Sequence, residues 1–149
     1  MYAMSGGMRM LIALLLLTGP AHAWTFTPGA ICTLEHQTTD VAVTLTYDPS
    51  GPLYTIAFER TAAFPVAPTF SILFDGPAAL QIGTNRHVLS GSDTRLSVAD
   101  SGFGNVLNGL QFNIEMRALI GNETLRIPLV GAAEPVAAFR ACEDAVPTA

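Results

Sequence analysis

From Trp24 onward, the chain carries two histidines, His36 and His87, and two cysteines, Cys32 and Cys142. Nucleophilic catalysis needs a nucleophile, a base within hydrogen-bond reach, and a group that orients the base. Serines and carboxylates are present, but no Gly-x-Ser-x-Gly or comparable spacing singles one out beside either histidine. A metal centre wants more ligands than these, and neither histidine has a partner at i+4 or in a His-x-His pair. No catalytic residue, metal or cofactor is assigned on this basis, and the chain is read as a non-enzyme.

Binding chemistry is better represented. Thr84-Asn85-Arg86-His87 places two potential cations at the start of a strand, where Arg86 and His87 could hold an anionic ligand. The plainer reading is a solvated strand end capped by Asn85. Gly102-Phe103-Gly104-Asn105 is a tight loop bearing an aromatic ring. Its glycines allow close backbone approach to a ligand, but they serve a simple turn as well. Arg86, His87, Phe103 and Asn105 are therefore the candidate binding residues, with Phe103, Arg86 and His87 near the mouth of any site. Arg117 and Arg126 would form a small basic spot, expected to be neutralised diagonally by Glu115 and Glu123.

Those residues must be carried by strands. Val41, Val43, Leu45 and Tyr47 alternate with Ala42, Thr44 and Thr46, the period of a half-buried strand. Asp48-Pro49-Ser50-Gly51-Pro52 supplies turn chemistry, and Tyr54, Ile56 and Phe58 continue as the inner face of a hairpin partner. Short strands are also expected over residues 24–28, 31–37, 69–75 and 94–99. Residues 80–84 and 87–90 read as two strands or one bent strand. Residues 115–120 and 123–129 make a hairpin around Gly121-Asn122, with Met116, Ala118, Leu125 and Ile127 inward and Arg117 opposite Arg126.

Residues 100–113 are ambiguous. Asn108-Gly109 is a strong hairpin signal, yet Val106, Leu107, Leu110 and Ile114 fit one helical face; a short helix over 104–111 is favoured. A second helix is expected over 134–142, with Pro135 in its first turn and Val136 and Phe139 directing Cys142 toward the sheet. The sum is a mainly β protein, an antiparallel sandwich or barrel-like sheet with two short helices.

Arg9, the apolar run Met10–Leu17 and the triplet Ala21-His22-Ala23 have the form of an export signal cleaved after Ala23; Met8 would make the tidier start. The run is too short to span a bilayer. Residues 24–142 are expected to form one domain with a polar tail over 143–149, periplasmic or secreted. In an oxidising compartment Cys32 and Cys142 read as a disulfide. The chain carries 12 acidic and 7 basic residues, with no lysine. Loss of the leader, which holds Arg9 and no acid, makes the balance one charge more negative. Such a surface matches neither nucleic acid nor an anionic membrane, and no stable membrane insertion is expected.

Trp24-Thr-Phe-Thr-Pro-Gly with Cys32, Tyr47-Asp48-Pro49, Phe74-Asp75-Gly76-Pro77, Arg86-His87-Val88-Leu89-Ser90, Gly102-Phe103-Gly104-Asn105-Val106-Leu107 and Ala138-Phe139-Arg140-Ala141-Cys142 together resemble a group of small exported bacterial proteins. Members of that group often carry a label naming the B component of excinuclease ABC. The genuine B component is a large cytoplasmic DNA-repair helicase and needs a Gly-x-x-x-x-Gly-Lys-[Ser/Thr] loop, whose lysine reaches the β- and γ-phosphates. A chain without lysine has no such loop, so the label describes a different protein. The closing order of hairpin, glycine, helix and cysteine is also similar to the invasion-associated locus B family of periplasmic β-sandwich proteins. Neither resemblance brings a catalytic residue. The expectation is an exported, non-catalytic β-sandwich acting as an envelope interaction or accessory module. The alternatives are a carrier of a small apolar or anionic ligand, and a small protease inhibitor.

Overall fold

The computed structural model describes residues 24–144. The leader expected over 1–23 and the end of the tail, beyond residue 144, lie outside the described residues. In chain order the elements are β1 (Thr25–Thr27), β2 (Cys32–Gln37), β3 (Ala42–Asp48), β4 (Leu53–Glu59), β5 (Phe70–Asp75), β6 (Leu80–Thr84), β7 (Val88–Ser90), β8 (Arg95–Asp100), α1 (Gly104–Phe112), β9 (Glu115–Ile120), β10 (Glu123–Pro128) and α2 (Ala133–Asp144).

The strands form two antiparallel sheets and no closed barrel, a sandwich-like arrangement among the described residues. One sheet has the order β1-β2-β3-β4-β8-β7, the other β10-β9-β5-β6. Alternation sets the register: Val43, Leu45 and Tyr47 on β3 lie opposite Phe58, Ile56 and Tyr54 on β4, and all six are buried. Between these strands the Asp48 carboxylate accepts hydrogen bonds from the Ser50 backbone N at 3.0 Å and its Oγ at 2.7 Å. That local bonding is the reason Asp opens so many turns.

The two sheets touch through side chains of their inner faces, with the Phe58 and Phe70 rings 5.6 Å apart. Toward the other end of β4 the helices take over. Tyr54 meets Phe103, just before α1, and Phe139 on α2, at 5.3 and 6.1 Å between ring centroids. The layers are thus sheet on sheet at the Phe58 end and sheet on helix at the Tyr54 end.

Residues 80–90 form two short strands rather than one bent strand, and the two do not lie side by side. β6 pairs with β5 in the four-stranded sheet, while β7 pairs with β8 in the six-stranded one. Asn85, Arg86 and His87 therefore cross from one sheet to the other. Residues 104–112 are helical, so Asn108-Gly109 makes no hairpin. Ile114 leaves the expected helical face altogether: the helix stops at Phe112, and Ile114 is 66 % exposed.

The expected hairpin of β9 and β10 forms with Arg117 opposite Arg126. Glu115 neutralises both, bonding Arg117 Nε at 2.7 Å and Arg126 Nη1 at 3.1 Å. Glu123 does not join them; it pairs instead with Arg60, whose guanidinium also lies over the Phe64 ring. Asp75 on β5 takes the vacated role, 3.3 Å from Arg117. A sheet adds a third strand to a hairpin, and that neighbour was not visible in the hairpin's own sequence.

Cys32 and Cys142 sit at disulfide distance, their Cα atoms 6.6 Å apart, within the span such a bond accepts. The pair ties β2 to the last turns of α2.

Candidate functional site

Leu96, Val98 and Asp100 share one face of β8, because side chains in a strand repeat every second residue. Leu96 is buried, Val98 half-buried and Asp100 reaches the rim. Along that face the structure passes from core to an open cleft of about 440 Å³. The cleft lies where the two sheets diverge: β4 and β8 on one side, β5 and β6 on the other, and the start of α1 closing one end.

Its floor is apolar, made of Ile56, Phe70, Ile72, Ile82, Val98 and Val106. Its rim is polar, with Thr84, Arg86, Asp100 and Asn105, and Phe103 forms a wall. Phe103 is only 5 % exposed because its ring stacks on Tyr54 at an interplanar angle of 21°. That contact holds the loop before α1 against the six-stranded sheet. An ideal Cβ built on Gly102 or Gly104 would meet nothing within 4 Å, so the backbone on either side of Phe103 borders open space.

Across the rim, Arg86 Nη2 donates to Asp100 at 2.8 Å. Asp100 also accepts from the Ser101 backbone N at 2.7 Å. The Ser101 amide first, and the Arg86 charge after it, hold the Asp100 carboxyl below the usual carboxylate range.

Three of the four candidate binding residues thus meet in one place: Arg86, Phe103 and Asn105 all line the cleft. His87 does not. It is half-buried against Phe70, ring centroids 6.1 Å apart. The crossing between sheets turns it away from Arg86, its neighbour in sequence. Sequence reasoning missed Asp100 and the apolar floor. Asp100 had a signal, a carboxylate in phase with the apolar face of its strand. The floor had none, because Ile72 and Val98 read as ordinary core positions.

His36, the other histidine, is buried and stacks on Trp24 with centroids 4.8 Å apart. It is far in the strand order from the cleft, at β2. A second groove, of about 470 Å³, runs past Asp40, Arg60, Thr61 and Arg126. It lacks an aromatic wall and a continuous apolar floor, the two features typical of small-molecule sites. Among the described residues, no three side chains of His, Cys, Asp or Glu converge as metal ligands would, and no helix is long and apolar enough to cross a membrane.

No family model, curated protein or solved structure matches the chain.

Proposed function

We propose that the domain is an exported, non-catalytic binding protein whose site is the cleft between β6 and β8, and that it serves the envelope by carrying a small ligand. The observation that carries this reading is the meeting of Arg86, Phe103 and Asn105 over an apolar floor. About 440 Å³ falls within the roughly 300–1,000 Å³ common for small-molecule sites, and such sites combine an apolar lining with a few placed polar groups. No residue of the rim forms the nucleophile–base–orienter chain that acyl transfer or hydrolysis would use, so binding without turnover fits the side chains present.

The test fills the cleft. Ile82 lies half-buried on an edge strand, so Ile82→Trp can occupy the cavity without displacing the central core. The purified protein is expected to bind the uncharged fluorophore N-phenyl-1-naphthylamine saturably. Ile82→Trp is expected to lose that binding with its circular dichroism unchanged. Absence of binding in the parent protein, or equal binding in the variant, overturns the reading.

A second reading, docking to another envelope component, is favoured by one observation. Phe112, Ile114 and Val130 are 50 %, 66 % and 78 % exposed, and the Ile114 carbonyl accepts from Leu129 N at 2.9 Å, which brings two of them close. In-cell crosslinking that is lost on Ile114→Asp, while cleft binding is unaffected, would favour this second role.

A further inference from the structure

We propose that the ligand of the cleft is a monocarboxylic amphiphile, its apolar body on the floor and its carboxylate forked by Arg86. The inference rests on the cleft being the ligand site and adds the chemical class of what enters it.

The floor sets the body. Ile72, Ile82, Val98 and Val106 offer no hydrogen bond to a buried polar group, so a second charge on the ligand would be stripped of water without compensation. One polar end, held at the rim, is what the lining accepts.

The rim sets the sign of that end. Among the described residues, Arg86 is the one cation lining the cleft. Of its guanidinium nitrogens only Nη2 is engaged, by Asp100; Nε and Nη1 donate to nothing among the described residues. By contrast Arg60, Arg117 and Arg140 are each tied at two nitrogens. Nη2 carries a second N–H, which with Nε or Nη1 leaves one guanidinium edge able to present a pair of parallel N–H donors to the two oxygens of a carboxylate. Asp100 is the weaker draw for an amine, because its charge is already offset by Arg86. Its Oδ2 is on Arg86, and its Oδ1 takes the backbone N of Ser101. A cationic ligand would meet the Arg86 charge beside Asp100 and be repelled by it, whereas an anionic one meets N–H donors not yet engaged. Asp100 keeps its place through Ser101 when a carboxylate arrives, so the incoming group need not break the existing pair. The first turn of α1, on the same rim, contains no acidic side chain to oppose it.

The experiment is displacement of N-phenyl-1-naphthylamine from the purified protein by octanoate, octanol and octylamine, at neutral pH and low salt. Octanoate is expected to displace the fluorophore at about tenfold lower concentration than octanol, the size of effect a charge-assisted fork commonly gives, with octylamine weakest. Arg86→Gln should bring octanoate to the level of octanol, both measured against the fluorophore on that same variant. Arg86→Lys, which keeps the charge and loses the fork, should fall between. Equal displacement by all three, a preference for octylamine, or an octanoate preference that survives in Arg86→Gln overturns the inference while leaving the cleft as a binding site. Failure of the fluorophore to bind the parent protein, or its retention by Ile82→Trp, removes the cleft itself and this inference with it.

Discussion

Asn113, just past α1, has every polar atom of its amide engaged. Its Oδ1 accepts from Ala78 N, and its Nδ2 donates to Ala78 O and Gly109 O, each at 3.0 Å. Replacing it with alanine leaves a buried amide and carbonyls unpaired, a loss of about 2–3 kcal/mol. Asn113→Asp is the sharper test. Its second oxygen would face two carbonyls, a repulsion that favours the protonated acid and raises the folded-state pKa. The variant should therefore gain stability as pH falls, read as a Tm that rises on acidification. Glu115 titrates with the opposite sign. The hydrogen bond from Arg117, and the charge of Arg126 beyond it, hold its carboxyl below the ordinary glutamate value. Its contribution is full above the unfolded value of about 4.3 and is lost as pH falls through the lower folded value. Glu115→Gln leaves Arg117 and Arg126 directly opposed. Its Tm should lie below the parent's at neutral pH, and the gap should close both in high salt and at low pH.

At the scale of elements, α1 shows how a tertiary contact overrules a local one. Asn108-Gly109 favours a hairpin, but Gly109 is the point where the helix lies on the ring of Phe74. A Cβ there would overlap the carbons along one edge of that ring. Phe74 is completely buried and cannot move aside. Gly109→Ala sets a helix-propensity gain of about 1 kcal/mol against severe overpacking of about 3 kcal/mol. The expected net is a loss of about 2 kcal/mol, measured by denaturant titration. Gly76 makes the matching demand from the strand side. It holds φ at 151°, and a Cβ there would sit 2.8 Å from Ile114 N. Arg140 joins the two helices, donating to Gln111 Oε1 at 2.7 Å, to the Gly104 carbonyl and to Asn108. That link bears on the cleft, because Gly104 and Asn105 border it.

For the whole molecule, Cys32 and Cys142 are separated by 110 residues, so their bond would enclose nearly all of the described chain. A loop of this length restricts the unfolded chain by about 4–5 kcal/mol in the chain-entropy account. Cys142→Ala should lower the denaturation midpoint by a corresponding amount, and reductant should do the same to the parent protein. Equal midpoints with and without reductant would show that the two thiols are not joined. Near the other end of β2, Trp24 Nε1 donates to Pro128 O at 3.2 Å, a non-covalent tie between the start of the six-stranded sheet and the end of the four-stranded one.

Much of this molecule is local, and local things are legible in a sequence. Alternation over residues 41–60 determined a hairpin and its inner face, because a strand's side chains repeat every two residues whatever lies beyond. Helices expected over 104–111 and 134–142 lie within the observed ones to a residue or two, and Cys32 facing Cys142 followed from there being no other partner to choose. Which sheet each strand joins was not local. Nothing in Leu80–Thr84 and Val88–Ser90 says that they part company, since both are short, apolar and bounded by turns. That parting opens the cleft, brings Arg86 to Asp100 across 14 residues of sequence, and turns His87 toward Phe70. The candidate residues were chosen from the chemistry of their side chains; that three of them share one cavity was decided by the packing of two sheets, which depends on every residue at their interface at once.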